Sequence, residues 1–421
     1  MIHKLHLIGI LIISLVAYPA TGLSIELPDF LDENEIVDAE FLCLEEPVTY
    51  SSEDQEYVDI LWDETLAYLK AYAKALTNHE KSGCLHSDLA VYETATETIQ
   101  RMCIMDNRDM RHMVKNIYQV LKNPDKAKEC FSARGDVDWI YSPGGELEEK
   151  SPVAQWLNRT TFEEFFDTNV TDEKVREYGR AFTKNFFKMV TGDDIKMPFG
   201  YPYDISANSL PNLWAAAGWF PMYAEESERN KRNFLDIRGG YAYAEVFGHW
   251  GLLRIDEING LKVGAEIGMT VQTVDTFYPY HNHAIAEIYY TIREPACVNQ
   301  FKNFAIREDN SLVKTLRETD TTRTVTFDSG VINEHRMWAS TTPDEDPLLY
   351  LHQNTIHAFD IDGDCEANPE EKAMVTVWAR SDAHDLRNDY GTTLLCGSHE
   401  DPDSPAERGQ VIECDLTKAK W

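Results

Sequence analysis

Residues 278–290 read Tyr-Pro-Tyr-His-Asn-His-Ala-Ile-Ala-Glu-Ile-Tyr-Tyr, and no other run constrains the fold so tightly. His281, His283, Glu287 and Tyr289 all carry odd numbers. Alternate residues of a β-strand share a face, so a strand directs all four the same way, whereas a helix would splay 281 from 283. A straight strand is nevertheless too long to serve one point. Fully extended, His283 to Glu287 spans about 13 Å, while the ligand atoms of one metal lie about 2 Å from it. Ala284 and Ala286 are small enough to permit a bend. The pattern predicts two short strands meeting at a bend within a β-rich region.

The surrounding sequence supplies that region. From about residue 198, short β-forming runs at 261–274, 278–292, 323–327, 348–359 and 373–379 are separated by turn residues, the texture of a sandwich or barrel. Upstream the texture is helical. Ser52-Glu53-Asp54-Gln55 reads as a capped start to an amphipathic run through Leu61, Leu66, Leu69 and Leu76. A second helix is predicted over 87–105 and a third over 109–131, interrupted at Pro124, with one or two more within 161–190. The segment 194–228, rich in aromatics, Pro and Gly, reads as a link between the halves or a lid. The predicted architecture is α+β, a helical domain over 23–197 followed by a β-barrel domain over 198–421.

Residues 1–22 read as a secretory signal: Lys4, an apolar run over 5–17, then Tyr18-Pro19-Ala20-Thr21-Gly22. The run is short for a bilayer span, so no stable membrane insertion is expected after cleavage. The mature chain is expected in the periplasm of a bacterium or outside a eukaryotic cell. Its eight cysteines (Cys43, Cys84, Cys103, Cys130, Cys297, Cys365, Cys396 and Cys414) form no CxxC pair, and an even count in an exported chain favours disulfides. A net charge of -33 argues against nucleic acid and anionic membranes as partners and mildly favours cationic small molecules.

A metal held by 281, 283 and 287 needs a ligand from elsewhere. His357, on the predicted strand of Asn354-Thr355-Ile356-His357-Ala358-Phe359, is the first choice, with His335 and His352 as competitors; His384 and His399 read as surface residues. Three histidines and a carboxylate suit Zn, Fe, Mn or Ni. Tyr280, Trp338 and Trp378 could face a cation through their rings. Arg380 could bind a carboxylate or form a surface salt bridge.

The motif HxH-x3-E with a distal His resembles the two-part metal motif of the cupins, double-stranded β-helix barrels. The longer pattern Tyr-Pro-x-His-x-His-x3-Glu-x-Tyr is similar to that of the cupin-type dimethylsulfoniopropionate (DMSP) lyases. The helical N-terminal half and the signal peptide match the periplasmic DddY type best. The resemblance is strongest over 270–400. It departs at Arg293-Glu294-Pro295 and at Val274-Asp275, turn positions where cupins often carry glycine. It implies a metal-dependent β-elimination of a sulfonium carboxylate, with zinc the first choice of metal, Tyr289 as base and Tyr278 assisting. Two other readings keep the same ligands or the same fold: a non-haem Fe(II) cupin dioxygenase, which oxygen dependence would reveal, and a secreted cupin binding or storage protein, which would typically lack a complete ligand set.

Overall fold

The computed structural model describes residues 27–81, 89–93, 98–101, 108–133, 164, 167–168, 180, 210–221, 241–273, 276–282, 285–293, 298–307, 312–315, 322–327, 330–338, 348–351, 355–363, 373–381, 393–397 and 411–413. Ser51 starts the longest helix. Its hydroxyl accepts the Asp54 amide (3.1 Å) and donates to the Asp54 carboxylate (2.9 Å), which satisfies one of the donors a helix start leaves unpaired. The helix Ser52–Lys81 buries Val58, Leu61, Thr65, Leu69, Tyr72 and Leu76, steps of three and four that make one stripe. The helix Arg108–Lys122 packs beside it and ends just ahead of Pro124. There the Asn123 amide donates to the carbonyls of Ile36 (2.8 Å) and Gln119 (2.9 Å), and the chain resumes as the short turn Pro124–Ala127.

The N-terminal part is not all-helical. Phe41–Cys43 is a strand paired with Ile255–Ile258. Where the sequence suggested a helix over 87–105, the strands Leu89–Glu93 and Thr98–Arg101 pair with each other, and the first also pairs with Leu312–Thr315. Val91, Tyr92, Thr98 and Ile99 are β-formers. A partner strand from far along the chain lets that preference override the helical spacing. The leader and most of 161–190 lie outside the described residues.

Two sheets dominate the remainder. One has six strands in the order Leu348–Leu351, Ala286–Arg293, Ala373–Ser381, Ala265–Thr273, Tyr241–Phe247, Phe220–Pro221. The other has seven strands, in the order Val298–Arg307, Gly330–Trp338, Thr322–Phe327, Val411–Glu413, Thr393–Gly397, Thr276–Asn282, Thr355–Gly363, and its last strand pairs with its first to close a ring. The chain crosses repeatedly between the sheets. Ala265–Thr273, Thr276–Asn282, Ala286–Arg293 and Val298–Arg307 alternate between them, as do Leu348–Leu351, Thr355–Gly363, Ala373–Ser381 and Thr393–Gly397. The bend expected at 284–286 is one such crossing.

One face of the six-stranded sheet is apolar. Ala244, Ile267, Met269, Val375, Val377 and Ile288 are all fully buried, in one core with the helices. The Tyr68 hydroxyl crosses from the long helix to donate to the Gly268 carbonyl (2.6 Å). Gly268 itself allows close strand approach, since a Cβ there would lie 1.8 Å from the Ala244 carbonyl oxygen. The described part of the 194–228 segment acts as a link. Helix Pro211–Ala216 packs on Ser52–Lys81, held by Glu64, which accepts the Leu213 amide (2.6 Å) and the Asn212 side chain (2.7 Å). Phe220–Pro221 then joins the sheet edge.

A disulfide ties Cys43 to Cys130 across 87 residues. Closing so long a loop restricts the unfolded chain, so Cys43→Ser/Cys130→Ser is expected to lose about 2–5 kcal/mol of stability, read as a lower urea midpoint than that of the oxidised protein.

Candidate active site

The opposite face of the six-stranded sheet is polar and yet buried. Strand register sets its layout. Glu287 is paired with Arg380 and Arg380 with Glu266; in the next row Tyr289 is paired with Trp378, Trp378 with Gly268 and Gly268 with Glu245. Directly opposed residues in an antiparallel sheet stand on the same face. Glu245, Glu266 and Glu287 are 1–2% exposed, Tyr289 and Trp378 are 6% and Arg380 is 7%. Among the described residues this places three carboxylates around one guanidinium, away from solvent.

Tyr289 donates its hydroxyl proton to Glu287 Oε2 (2.8 Å), and Trp378 Nε1 donates to Glu287 Oε1 (3.3 Å). Arg380 is not at the surface. Its Nε is bonded to Glu266 Oε2 and its guanidinium lies 5.3 Å from the centroid of the Trp378 ring. Burial works against that charge, but Glu266, Glu287 and Glu245 outweigh it and hold the guanidinium protonated more firmly than usual. Burial, with repulsion from Glu266 second, pushes the Glu245 carboxyl well above the usual carboxylate range. Glu245 Oε2 accepts the Trp250 amide (3.1 Å), while its Oε1 and the Thr376 hydroxyl have no hydrogen-bond partner among the described residues.

The histidines fall on the seven-stranded sheet. His281 and His357 are direct register partners on neighbouring strands. His357 also pairs, through Ala305, with the row position of His335 two strands away. Tyr278 is paired with Phe359 and His281 with His357, so three steps on one strand match two on the other. The extra residue is a bulge around Pro279 and Tyr280, where the missing proline N–H is tolerated. Trp338 is paired with Lys302 on the ladder that also holds His335. His283, His352, His384 and His399 lie outside the described residues.

The structure therefore brings Glu287, Tyr289, Trp378 and Arg380 into one cluster, and His281 and His357 into one pair on the next strand along the chain. An ionised carboxylate has about four acceptor positions. Glu287 uses two of them on Tyr289 and Trp378. Imidazole and carboxylate donors fit a divalent first-row metal. Sequence reading missed Glu245 and Glu266. Their signal was a single acid in each of Tyr-Ala-Tyr-Ala-Glu-Val-Phe and Ala-Glu-Ile-Gly-Met-Thr, set opposite an alternating apolar row.

A phenol hydrogen-bonded to a buried carboxylate is a pair suited to moving a proton. No protein-family model matches the chain. It is 66% identical over 396 residues, 94% of its length, to the dimethylsulfoniopropionate lyase DddY of Shewanella woodyi, and covers 95% of that protein. The chain belongs to the dimethylsulfoniopropionate lyase DddY family. Among solved structures it is similar to the DMSP lyase DddQ from Ruegeria pomeroyi (12% identity, 59% of this chain and 90% of that one, TM-score 0.28). A structure of the DMSP lyases RdDddP and RnDddQII also matches (9% identity, 50% of this chain and 94% of that one, TM-score 0.23). At such TM-scores the likeness says nothing about this fold.

Arg380→Met is expected to cost about 3–5 kcal/mol, because it leaves Glu266 charged and buried, and Glu266→Gln/Arg380→Met should recover most of the loss in chemical denaturation. Glu245 sets a slope with pH. Below the ordinary carboxylate value both folded and unfolded chains carry its proton. As pH rises through the raised folded value the unfolded chain has already ionised, and stability falls. Urea midpoints of Glu245→Gln should match wild type in acid, exceed it increasingly as pH rises from the ordinary carboxylate range to the raised folded value, and keep a constant lead above it.

Proposed function

We propose that this chain cleaves DMSP to dimethyl sulfide and acrylate by β-elimination, with Tyr289 as the base. The observation that carries this reading is the Tyr289 hydroxyl held 2.8 Å from buried Glu287 in a chain 66% identical to a DddY lyase. DMSP bears a dimethylsulfonium group β to its carboxylate. When the α-proton is removed, the C–H electron pair becomes the new C=C bond and the C–S pair leaves on sulfur. No oxidant or reductant is needed.

A free tyrosine titrates near 10, too high for a good base at neutral pH. His281, His283, His357 and Glu287 would hold a divalent metal, zinc first, with Fe, Mn or Ni as alternatives. When bound, the metal supplies positive charge that favours phenolate and polarises the substrate carboxylate. Glu287 fixes the direction of the phenol oxygen by accepting its proton in the resting state. Trp378, pinned to Glu287 by its indole N–H, keeps a ring for the sulfonium. Arg380, Tyr278, Tyr280 and Trp338 are the further substrate-facing candidates.

The repeated crossing between two sheets supports a cupin-type double-stranded β-helix over 198–421, a jelly-roll path. The helices of 23–197 form its companion domain. The Cys43–Cys130 disulfide supports export through the signal at 1–22, since such bonds persist in oxidising compartments.

Zinc-loaded protein given DMSP should release dimethyl sulfide into the gas phase. Tyr289→Phe should lower the rate by about 10²–10⁴-fold, the range for losing a positioned base. Removing the metal with a chelator should abolish release and zinc should restore it. No release from metal-saturated wild type overturns the assignment.

A further inference from the structure

We infer that Tyr243, Trp378 and Glu245 form the subsite for the substrate's dimethylsulfonium head, with Glu245 selecting a cation over a neutral group. This rests on the lyase reading above. Three observations meet at this corner of the polar face. First, the Tyr243 and Trp378 rings meet edge to face, 5.9 Å between centroids at 65°. Two such rings offer a cation one negative π-face each, the way onium groups are recognised. Arg380 already lies against the Trp378 ring, so a cation on this ring is not foreign to the site.

Second, Glu245 and Trp378 are aligned across Gly268, which puts no side chain between them. Glu245 Oε1, in a residue only 1% exposed, has no hydrogen-bond partner among the described residues. A sulfonium has no N–H or O–H to donate. It satisfies such an oxygen through charge and through its polarised methyl groups.

Third, Glu245, Glu266 and Glu287 share one guanidinium, and buried charge of one sign is costly unless paired. Without a cation beside it, burial and then Glu266 push Glu245 toward its protonated form, against the opposing pull of Arg380, the Trp250 amide and Arg254. A cation arriving beside it reverses that balance, because the ionised form then gains a partner. The loop at Gly248 closes the corner: a Cβ at that residue would lie 2.8 Å from Glu245 Oε2.

Two inhibitors of nearly equal shape test the subsite. 3-(Trimethylammonio)propionate carries a cationic head, and 4-methylpentanoate is the neutral carbon analogue of DMSP. Calorimetric affinities are measured for both on zinc-loaded wild type, Glu245→Gln and Tyr243→Leu. Wild type should prefer the cation. Glu245→Gln should reduce that preference about tenfold or more, the scale of a lost buried charge contact, and Tyr243→Leu about 3–30-fold, the scale of a lost cation–π contact. Affinity for 4-methylpentanoate should stay within about twofold in both, which shows that the pocket remains folded. A preference unchanged in both variants overturns the subsite. So does a wild type that binds the two compounds equally. These affinities are read without turnover. A chain that prefers the cation but releases no dimethyl sulfide would refute the lyase reading while leaving the cation subsite standing.

Discussion

The Arg380 guanidinium is the group around which the polar sheet face is arranged. Register sets it between Glu287 on one neighbouring strand and Glu266 on the other. Taking an unpaired carboxylate out of water costs several kcal/mol. The sheet therefore buries its acidic face only because a cation that keeps its proton stands at the centre. The reverse face carries the ordinary driving force for folding, small and branched apolar side chains packed in one core with the helices. Side-chain alternation divides the sheet: Ala242, Ala244 and Val246 pack against the core, while Glu245 stands on the other face.

The second constraint is the path of the chain. Glu287 and His281 are close in sequence but belong to different sheets. The candidate ligands thus come from two layers, and a bend alone could not have brought His357 in as well. Its pairing with His281 does so. The Pro279 bulge adds a local correction by shifting Tyr278 by one position.

Much of this was legible in the residues. The odd-numbered run 281–289 announced a strand with a break, and the break is a change of sheet. Pro124 marked the end of a helix, and Ser51, one residue ahead of the expected start, caps the longest one. Other features were hidden for physical reasons. The strand at 89–93 takes its second partner from residues 312–315, and no local pattern records a pairing over more than two hundred residues. Arg380 read equally well as a surface charge or a substrate clamp, because its burial is decided by Glu266 on another strand. Glu245 went unnoticed because a single acid in a strand is usually solvated. Only the apolar character of the opposite face, and the Gly248 loop over it, make it an interior group. The pairing of Cys43 with Cys130 likewise depends on where the strand Phe41–Cys43 docks.

Strand order has a consequence for when activity can first exist. Ala373–Ser381 lies between Ala286–Arg293 and Ala265–Thr273, so the innermost strand of the site is contributed by nearly the last tenth of the chain. Until it inserts, Glu287 lacks Trp378, Glu266 lacks Arg380, and two acidic strands stand without a common neighbour. Such non-local insertion is a slow, late event in folding. Chains still being synthesised are therefore catalytically silent, and a protein truncated before residue 373 lacks the strand that carries Trp378 and Arg380.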